Sequence, residues 1–584
     1  MSMPFLVKDI YSGSSSSFPA FLTTVGDTLY FRADDGINGG ELWKSDGTET
    51  GTVLVKNINS GSGNSNPAFL TTVGDTLYFR ADDGINGQEL WKSDGTEDGT
   101  VLVKNINSGS VDSFPRYLTA VGNTLYFNAN DGINGYELWK SDGTEDGTVL
   151  VKDIRSGSSS STPSDLTVVG DTLFFRAFDG INGTELWKSD GTETGTVLVK
   201  DIRSGSSSST PSDLTVVGDT LFFVANDGVN GVELWKSDGT EAGTVLVKDI
   251  NSGSSSSYTG LLTAVGDTLY FRANDGINGR ELWKSDGTEA GTVLVKDINS
   301  GSVDSNPRYL TAVGDTLYFR ASDGINGYEL WKSDGTEDGT VLVKDIRSGS
   351  GGSYPGFLTA VGDTLYFRAD NSINGDELWK SDGTEAGTVL VKDINSGSVD
   401  SNPRLLTAVG DTLYFRANDG INGFELWALN VNEAPSANII NGGAGNDVLT
   451  GMSDRENIID GGGGRNIITG GNLNDIITGG QGADRLTGGG GADIFRYNSL
   501  VDIGDTITDF EVGIDKIDLS ELLSGINYSG SNPIDDSYVK FRSLGSDTIV
   551  QIDPDGIGSA RALNFIRLQN VSAILMNNPD NFIF

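Results

Sequence analysis

The chain has 584 residues, enough for several domains, and its 81 acidic and 40 basic residues give a formal charge of -41. Nucleic acid and anionic membrane surfaces repel such a polyanion, so neither is expected as a partner. It contains no Cys and no His, which excludes disulfides, thiolate chemistry and HExxH metalloprotease sites, so any bound metal should be a hard cation on oxygen ligands.

The first ten residues, Met1 to Ile10, enter a repeat at once and lack the charged and apolar regions of a secretory signal peptide. No apolar run is long enough to span a bilayer. Residues 1–429 then carry all nine tryptophans, each in Glu-Leu-Trp, with the first two, Trp43 and Trp91, setting a period of 48 residues. A period of this size points to a solenoid, a propeller or an array. The third copy shows the strands of one unit. They are Tyr117-Leu-Thr-Ala-Val, Asn123-Thr-Leu-Tyr-Phe-Asn128, Tyr136-Glu-Leu-Trp-Lys140 and Thr148-Val-Leu-Val-Lys-Asp-Ile154. Val-Gly-Asn, Asp-Gly-Ile-Asn-Gly and Ser-Asp-Gly-Thr separate them, and Asp-Gly and Asn-Gly are hairpin signals because Gly accepts positive φ. Nothing in the unit reads as helix. Four antiparallel strands in 48 residues make one propeller blade.

In Thr28-Leu-Tyr-Phe-Arg32, Leu29 and Phe31 face one way and Thr28, Tyr30 and Arg32 the other, as suits a blade packed between two neighbours. The chain opens on a fourth strand and the ninth unit stops after its third, so the N-terminal strand is expected to close a nine-bladed ring and remove its exposed edges. The rival is an open superhelix of the same blades. Glu-Leu-Trp-Lys-Ser-Asp-Gly-Thr resembles the ELWxxDGT repeat of bacterial proteins. Eight copies match in full, and the ninth, at Glu425, keeps only Glu-Leu-Trp. That resemblance implies a β-rich repeat domain and no defined catalysis.

Glu41 recurs in all nine copies, whereas Arg32 becomes Asn128 and Val224 in two. A cross-strand ion pair between Arg32 and Glu41 is expected, with other partners for Glu137 and Glu233. The residue before each Glu-Leu-Trp varies freely: Gly40, Gln88, Tyr136, Thr184, Val232, Arg280, Tyr328, Asp376 and Phe424. Strand alternation puts these nine on one face, with the variable Ser/Gly loops and the Asp-Gly-Ile-Asn-Gly loops. They form the candidate recognition face, since binding residues concentrate on loops held by a rigid scaffold. The Asp of Ser-Asp-Gly-Thr is read as a turn former rather than a calcium ligand.

After a linker at 430–441, residues 442–496 change to a period of nine, starting Gly442-Gly-Ala-Gly-Asn-Asp447-Val-Leu449-Thr. The run resembles the RTX, or hemolysin-type, nonapeptide Gly-Gly-x-Gly-x-Asp-x-U-x, where U is a large apolar residue. Glycines make tight turns and expose carbonyls, the sixth residue supplies a carboxylate, and the eighth fills the core of a parallel β-roll. Two stacked turns can then share the six to eight oxygens that calcium takes. Sixth positions are read as Asp447, Glu456, Asn466, Asp475, Asp484 and Asp493. Eighth positions are read as Leu449, Ile458, Ile468, Ile477, Leu486 and Phe495, with Asp460 as a one-residue insertion. Met452, Asp454 and Leu473 depart from the glycine pattern. The metal-ligating candidates are Gly442, Gly445, Asp447, Gly470, Asp475, Gly479, Gly482, Asp484, Gly488, Gly491 and Asp493, with Ca2+ as the ion.

Residues 497–584 alternate like strands at Asp505-Thr-Ile-Thr-Asp-Phe510 and are similar to the cap of RTX rolls. The chain ends Asp580-Asn-Phe-Ile-Phe584, which resembles the uncleaved C-terminal signal of type I secretion substrates and also reads as a terminal strand. The resemblance implies export by the type I secretion machinery and folding outside the cell on calcium. The expected protein is all-β and not an enzyme. It is secreted or on the cell surface, and its propeller serves as an adhesion or recognition scaffold for an extracellular glycan or protein. The alternatives are a structural coat or matrix protein and a secreted polysaccharide-degrading propeller enzyme.

Overall fold

A computed structural model describes residues 3–431, 438–453, 455–556 and 561–584. Linker residues 432–437 and Asp454 lie outside the described residues. Contacts divide the chain into two compact units after Val431.

The first unit is a β-propeller of nine four-stranded antiparallel sheets. The third blade uses Arg116–Val121, Thr124–Asn130, Tyr136–Ser141 and Val149–Lys152, in that order from the centre outward. Innermost strands touch in succession, and Arg404–Val409 of the last blade touches Ala20–Val25 of the first. The ring is therefore closed and not an open superhelix. Phe5–Lys8 completes the ninth sheet by pairing antiparallel with Phe424–Asn430, setting Leu6 opposite Trp427.

Alternation along the second strand explains how blades stack. Leu29 and Phe31 join Trp43 in a cluster that reaches back to Val7, Ile10 and Leu426. Tyr30, on the opposite side of the strand, packs with Leu42, Val55 and Ile58 against Leu77, Phe79 and Trp91 of the next blade. Each Trp is thus an inter-blade wedge. Lysines tie the turns: Lys56 Nζ donates to the carbonyls of Glu97 (3.1 Å) and Thr100 (2.9 Å) one blade on. Asp46 accepts from the Thr48 amide at 2.9 Å and the Thr48 hydroxyl at 2.7 Å, so it is a turn former.

The expected Arg32–Glu41 ion pair does not form. Register sets Glu41 opposite Ala33 and Arg32 opposite Leu42, so the two side chains leave opposite faces of the sheet. Glu41 is fully buried, and its carboxylate accepts from the amides of Ile58 (2.9 Å) and Ser65 (2.9 Å) and from the Ser65 hydroxyl (2.5 Å). Glu137 and Glu233 use the same kind of partners as the other copies. Arg32 instead lies over the Phe21 ring at 5.3 Å.

The second unit is a parallel β-solenoid. One sheet stacks Asn438–Asn441, Asn457–Asp460, Ile476–Thr478, Ile494–Arg496 and Lys516–Asp518, and the C-terminal Phe582–Ile583 pairs onto its end. The other stacks Val448–Thr450, Ile467–Gly471, Arg485–Gly489 and Asp505–Ile507, then Leu563–Leu568 and an antiparallel pair formed by Asp547–Ile552 and Val539–Leu544. Ile459, Ile468, Ile477, Leu486, Phe495, Ile507 and Ile517 form the fully buried column between the sheets. Two short helices, Ser520–Gly525 and Ala573–Met576, complete the cap.

The register of one repeat differs from the sequence reading. Asn457 and Ile459 are buried where Glu456 and Ile458 were expected, and both of those are exposed. The extra residue therefore precedes Asn457 rather than falling at Asp460. A long, charged Glu456 is cheaper to leave in water than to bury, whereas Asn457 closes its turn by donating from Nδ2 to the Met452 carbonyl at 3.0 Å.

Candidate functional site

Each stretch of solenoid gives its sixth-position side chain the same task, which is to accept the amide of the sixth residue one full turn earlier. Two ladders result. On one, Asp447 N donates to Asn466 Oδ1 at 2.8 Å, Asn466 N to Asp484 Oδ1 at 2.6 Å, and Asp484 N to Asp505 Oδ1 at 2.8 Å. On the other, Asn457 N donates to Asp475 Oδ1 at 2.6 Å, Asp475 N to Asp493 Oδ1 at 2.8 Å, and Asp493 N to Asp515 Oδ1 at 2.9 Å. The ladders fix Oδ1 of Asp475, Asp484, Asp493, Asp505 and Asp515, while Oδ2 of Asp475 accepts from the Gly471 amide and Oδ2 of Asp515 from the Glu511 amide at 2.8 Å.

The second oxygens meet at the first-position glycines. At Gly479 a Cβ would sit 2.7 Å from Asp484 Oδ2 and 2.8 Å from Asp505 Oδ2, so only Gly leaves that cradle open. Gly488 and Gly470 stand in the same relation to Asp493 Oδ2 and Asp475 Oδ2, and Gly442 lies beside Asp447 Oδ2 and the Gly461 carbonyl. Gly470, Gly479 and Gly488 are buried, whereas Gly442 is half-buried. Gly445 and Gly491 are exposed in the outer turns, and Gly482 and Gly491 there have φ of 143° and 110°.

Electrostatics separate the sites. Asp484 Oδ2 and Asp505 Oδ2 are buried without a well-formed hydrogen bond, with the buried Tyr497 hydroxyl beside Asp505. Burial pushes the Asp505 carboxyl up to about 8, with the charge of Asp484 adding to it. Burial likewise raises Asp493 to about 7, with Asp515 and Asp475 nearby. Asp484, Asp502 and Asp515 are also raised, chiefly by burial. Buried carboxylates that crowd one another favour either a proton or a cation. The donors are all oxygen, from carboxylates and stacked glycine carbonyls, which fits calcium and no softer metal. Among the described residues no three acidic side chains converge on one point, so carbonyls must supply the rest of any coordination shell.

Asp505 and Asp515, which lie beyond the glycine-rich run, were not among the sequence candidates. Each nevertheless keeps the Asp-x-apolar core of the nonapeptide, as Asp505-Thr-Ile507 and Asp515-Lys-Ile517, after the glycines have gone.

On the propeller, the variable residues gather at one end of the blades. Gly40 N donates to Asn64 Oδ1 at 2.7 Å, which joins the loop between the second and third strands to the Ser/Gly loop. Gly40 is buried, and the other eight positions are half-buried. Several are engaged locally. Arg280 pairs with Asp304 at 3.3 Å, Asp376 lies 3.6 Å from Arg368, Tyr328 packs on Tyr354 and Phe424 on Phe18. Tyr136 and Thr184 line one cavity, while Gln88 and Val232 accept loop amides through their carbonyls. Beside this end, the first strand of every blade carries a bulge whose residue has positive φ, among them Phe21 (57°), Tyr117 (56°) and Tyr309 (56°).

Residues 428–530 match the family described as Peptidase M10 serralysin C terminal. The match covers less than half of the chain, and the solenoid there fits an RTX-type, calcium-binding repeat region. No curated protein matches the chain. Among solved structures, a puromycin hydrolase is 16% identical over 67% of this chain and 63% of its own, with a TM-score of 0.32. Oligopeptidase B from Leishmania major is 12% identical over 66% of this chain and 55% of its own, with a TM-score of 0.36. A subunit of the mannuronan C5-epimerase of Azotobacter vinelandii is 26% identical over 26% of this chain and 92% of its own, with a TM-score of 0.20. The chain spans less than two thirds of the length of the hydrolases it matches. Among the described residues no helix is long and apolar enough to cross a membrane.

Proposed function

We propose that the protein is a secreted calcium-binding protein of the RTX type whose propeller serves as a non-enzymatic recognition or adhesion scaffold outside the cell. The observation that supports calcium is the pair of buried, unpartnered oxygens of Asp484 and Asp505 over Gly479, in ladders made wholly of oxygen donors. Such an arrangement holds a proton until a cation displaces it. Metal binding then contributes directly to folding, because the unfolded chain does not preform the site. Export by the type I route belongs to the same reading, since a solenoid that folds only on millimolar calcium stays unfolded in a calcium-poor cytoplasm. The resemblance of the repeats to ELWxxDGT proteins and the diversity of the nine residues before Glu-Leu-Trp support recognition. Near-identical blades offer no distinct pair of carboxylates for hydrolysis.

Calorimetric titration of the calcium-free chain tests the metal. Binding is expected, and Asp484→Asn and Asp505→Asn should each weaken the site they share by about tenfold or more. Undiminished binding in both variants would remove that site from the account.

A further inference from the structure

One blade differs from its neighbours in a way that creates a site. Five blades carry an aromatic ring on the bulge of the first strand, and in four of them an Arg on the second strand covers it: Arg32 lies 5.3 Å from Phe21, Arg80 4.9 Å from Phe69, Arg320 4.9 Å from Tyr309 and Arg368 5.1 Å from Phe357. The cation thereby fills its own pocket. In the third blade the equivalent residue is Asn128, which is too short to reach. Tyr117 keeps the strained bulge conformation, with φ 56°, yet no cation lies over its ring among the described residues. The space left is a cavity of about 450 Å³ lined by Arg116, Tyr117, Asn128, Tyr136 and Arg176 among others. That volume is in the range of small-ligand sites.

Three features of the lining specify the ligand. Asn128 is 4% exposed, and its Nδ2 donates to the Pro163 carbonyl at 2.8 Å, yet its Oδ1 is buried with no partner. An orphaned buried acceptor calls for a donor such as a hydroxyl. Arg116 is exposed, lies over the Phe114 ring at 5.4 Å and pairs with no carboxylate among the described residues, whereas Arg176 is held by Asp165 at 3.0 Å. A guanidinium that stacks on a ring and keeps its N–H edge without a carboxylate partner, in a chain of charge -41, suits a carboxylate. Tyr117 and Tyr136 offer apolar ring faces beside these polar groups. A long polyanion such as nucleic acid would meet the negative field of the whole molecule, while a single carboxylate on a sugar meets only Arg116 and its surroundings.

We propose that this cavity binds a carboxylate-bearing sugar, with Arg116 on the carboxylate, Asn128 Oδ1 accepting from a hydroxyl, and Tyr117 and Tyr136 flanking the ring. The proposal rests on the recognition reading of the propeller and assigns it a ligand class.

The test is an array of uronic-acid, sulfated and neutral oligosaccharides of equal length, probed with the full chain in calcium, with a single-stranded DNA oligomer alongside. Signal is expected on uronic-acid sugars. Asn128→Arg, which restores the residue that seven other blades carry and fills the cavity, and Arg116→Ala should each reduce it by about tenfold or more. Arg308→Ala, at the position equivalent to Arg116 in another blade, should leave it within about twofold. The circular-dichroism spectrum and melting curve of each variant report its fold. Signal confined to neutral or sulfated sugars, a uronate signal that Asn128→Arg leaves intact, or DNA capture that Asn128→Arg abolishes overturns the inference and leaves the recognition reading standing. An array silent throughout overturns both.

Discussion

A buried Glu in every blade is the residue on which each inter-loop junction depends. Its carboxylate gathers the first amides of the loop after the fourth strand, and in eight of nine blades a Ser hydroxyl as well. Burial pushes Glu137 and seven of its counterparts up to about 7, and raises Glu41 as well. The proton is bound more tightly in the fold than in the unfolded chain. Its stabilising contribution is therefore complete below the ordinary Glu value of 4.5 and is lost as pH rises through about 7. Calcium-free protein should thus melt at a lower temperature at pH 8.5 than at pH 5 when followed by Trp fluorescence, and a rise across that interval would contradict the assignment. Glu137→Ala leaves the Ile154 and Ser161 amides and the Ser161 hydroxyl unpaired. It should cost about 3 kcal/mol or more, with Glu137→Gln much milder at pH 5; equal losses for the two would count against a protonated Glu. The sequence misled on this residue because it showed a recurrent Arg and not which face the Arg leaves from. The better signal was the Ser 24 positions after each of the first eight Glu, such as Ser65 after Glu41, matched by Ser17 for Glu425, which stays constant inside a loop that otherwise varies.

At the scale of the element, two strands outside the repeats complete what the repeats begin. Phe5–Lys8 is far from its partner in sequence, yet it pairs with Phe424–Asn430, and Ile10 N and Ser17 N then donate to Glu425 at 3.2 and 2.8 Å. Removal of residues 1–10 should leave the third strand of the last blade as an exposed edge, lower the Trp-fluorescence midpoint and promote association detectable by light scattering. An unchanged midpoint would mean that the ring holds without its clasp. This closure was legible in the sequence from strand phase alone, since one fourth strand stands before the first blade and one is missing from the last. In the solenoid, the strand Asp505–Ile507 extends the ladder past the last glycine. Asp505→Asn should therefore act with opposite sign in two conditions. In chelator at pH 7, where Asp505 already favours its proton, the change should be neutral or stabilising. In calcium it should lower the midpoint of the roll. The same sign in both would refute a metal role for Asp505. This strand was missed as part of the site because the glycines that flag the repeat stop earlier, while the Asp-x-Ile spacing that builds it continues. The slip at Glu456 has a related cause: periodicity counts residues, whereas the fold decides which of two neighbours is cheaper to bury.

For the whole molecule, two units with separate cores allow two responses to one ion. All nine tryptophans lie in the propeller, whose inter-blade clusters are built from apolar and aromatic side chains. The solenoid has a continuous apolar column but carries Asp484 and Asp505, whose buried second oxygens crowd one cradle at Gly479. The central claim is that calcium completes the fold of the solenoid and leaves the propeller unaltered. The direct measurement is thermal unfolding of the full chain with calcium and with chelator, followed in parallel by far-ultraviolet circular dichroism and Trp fluorescence. Calcium should add or raise a circular-dichroism transition, chelation should abolish it reversibly, and the Trp-fluorescence midpoint should not move. Circular-dichroism melting that ignores calcium, or a Trp-fluorescence midpoint that shifts as far as the circular-dichroism one, would contradict the account.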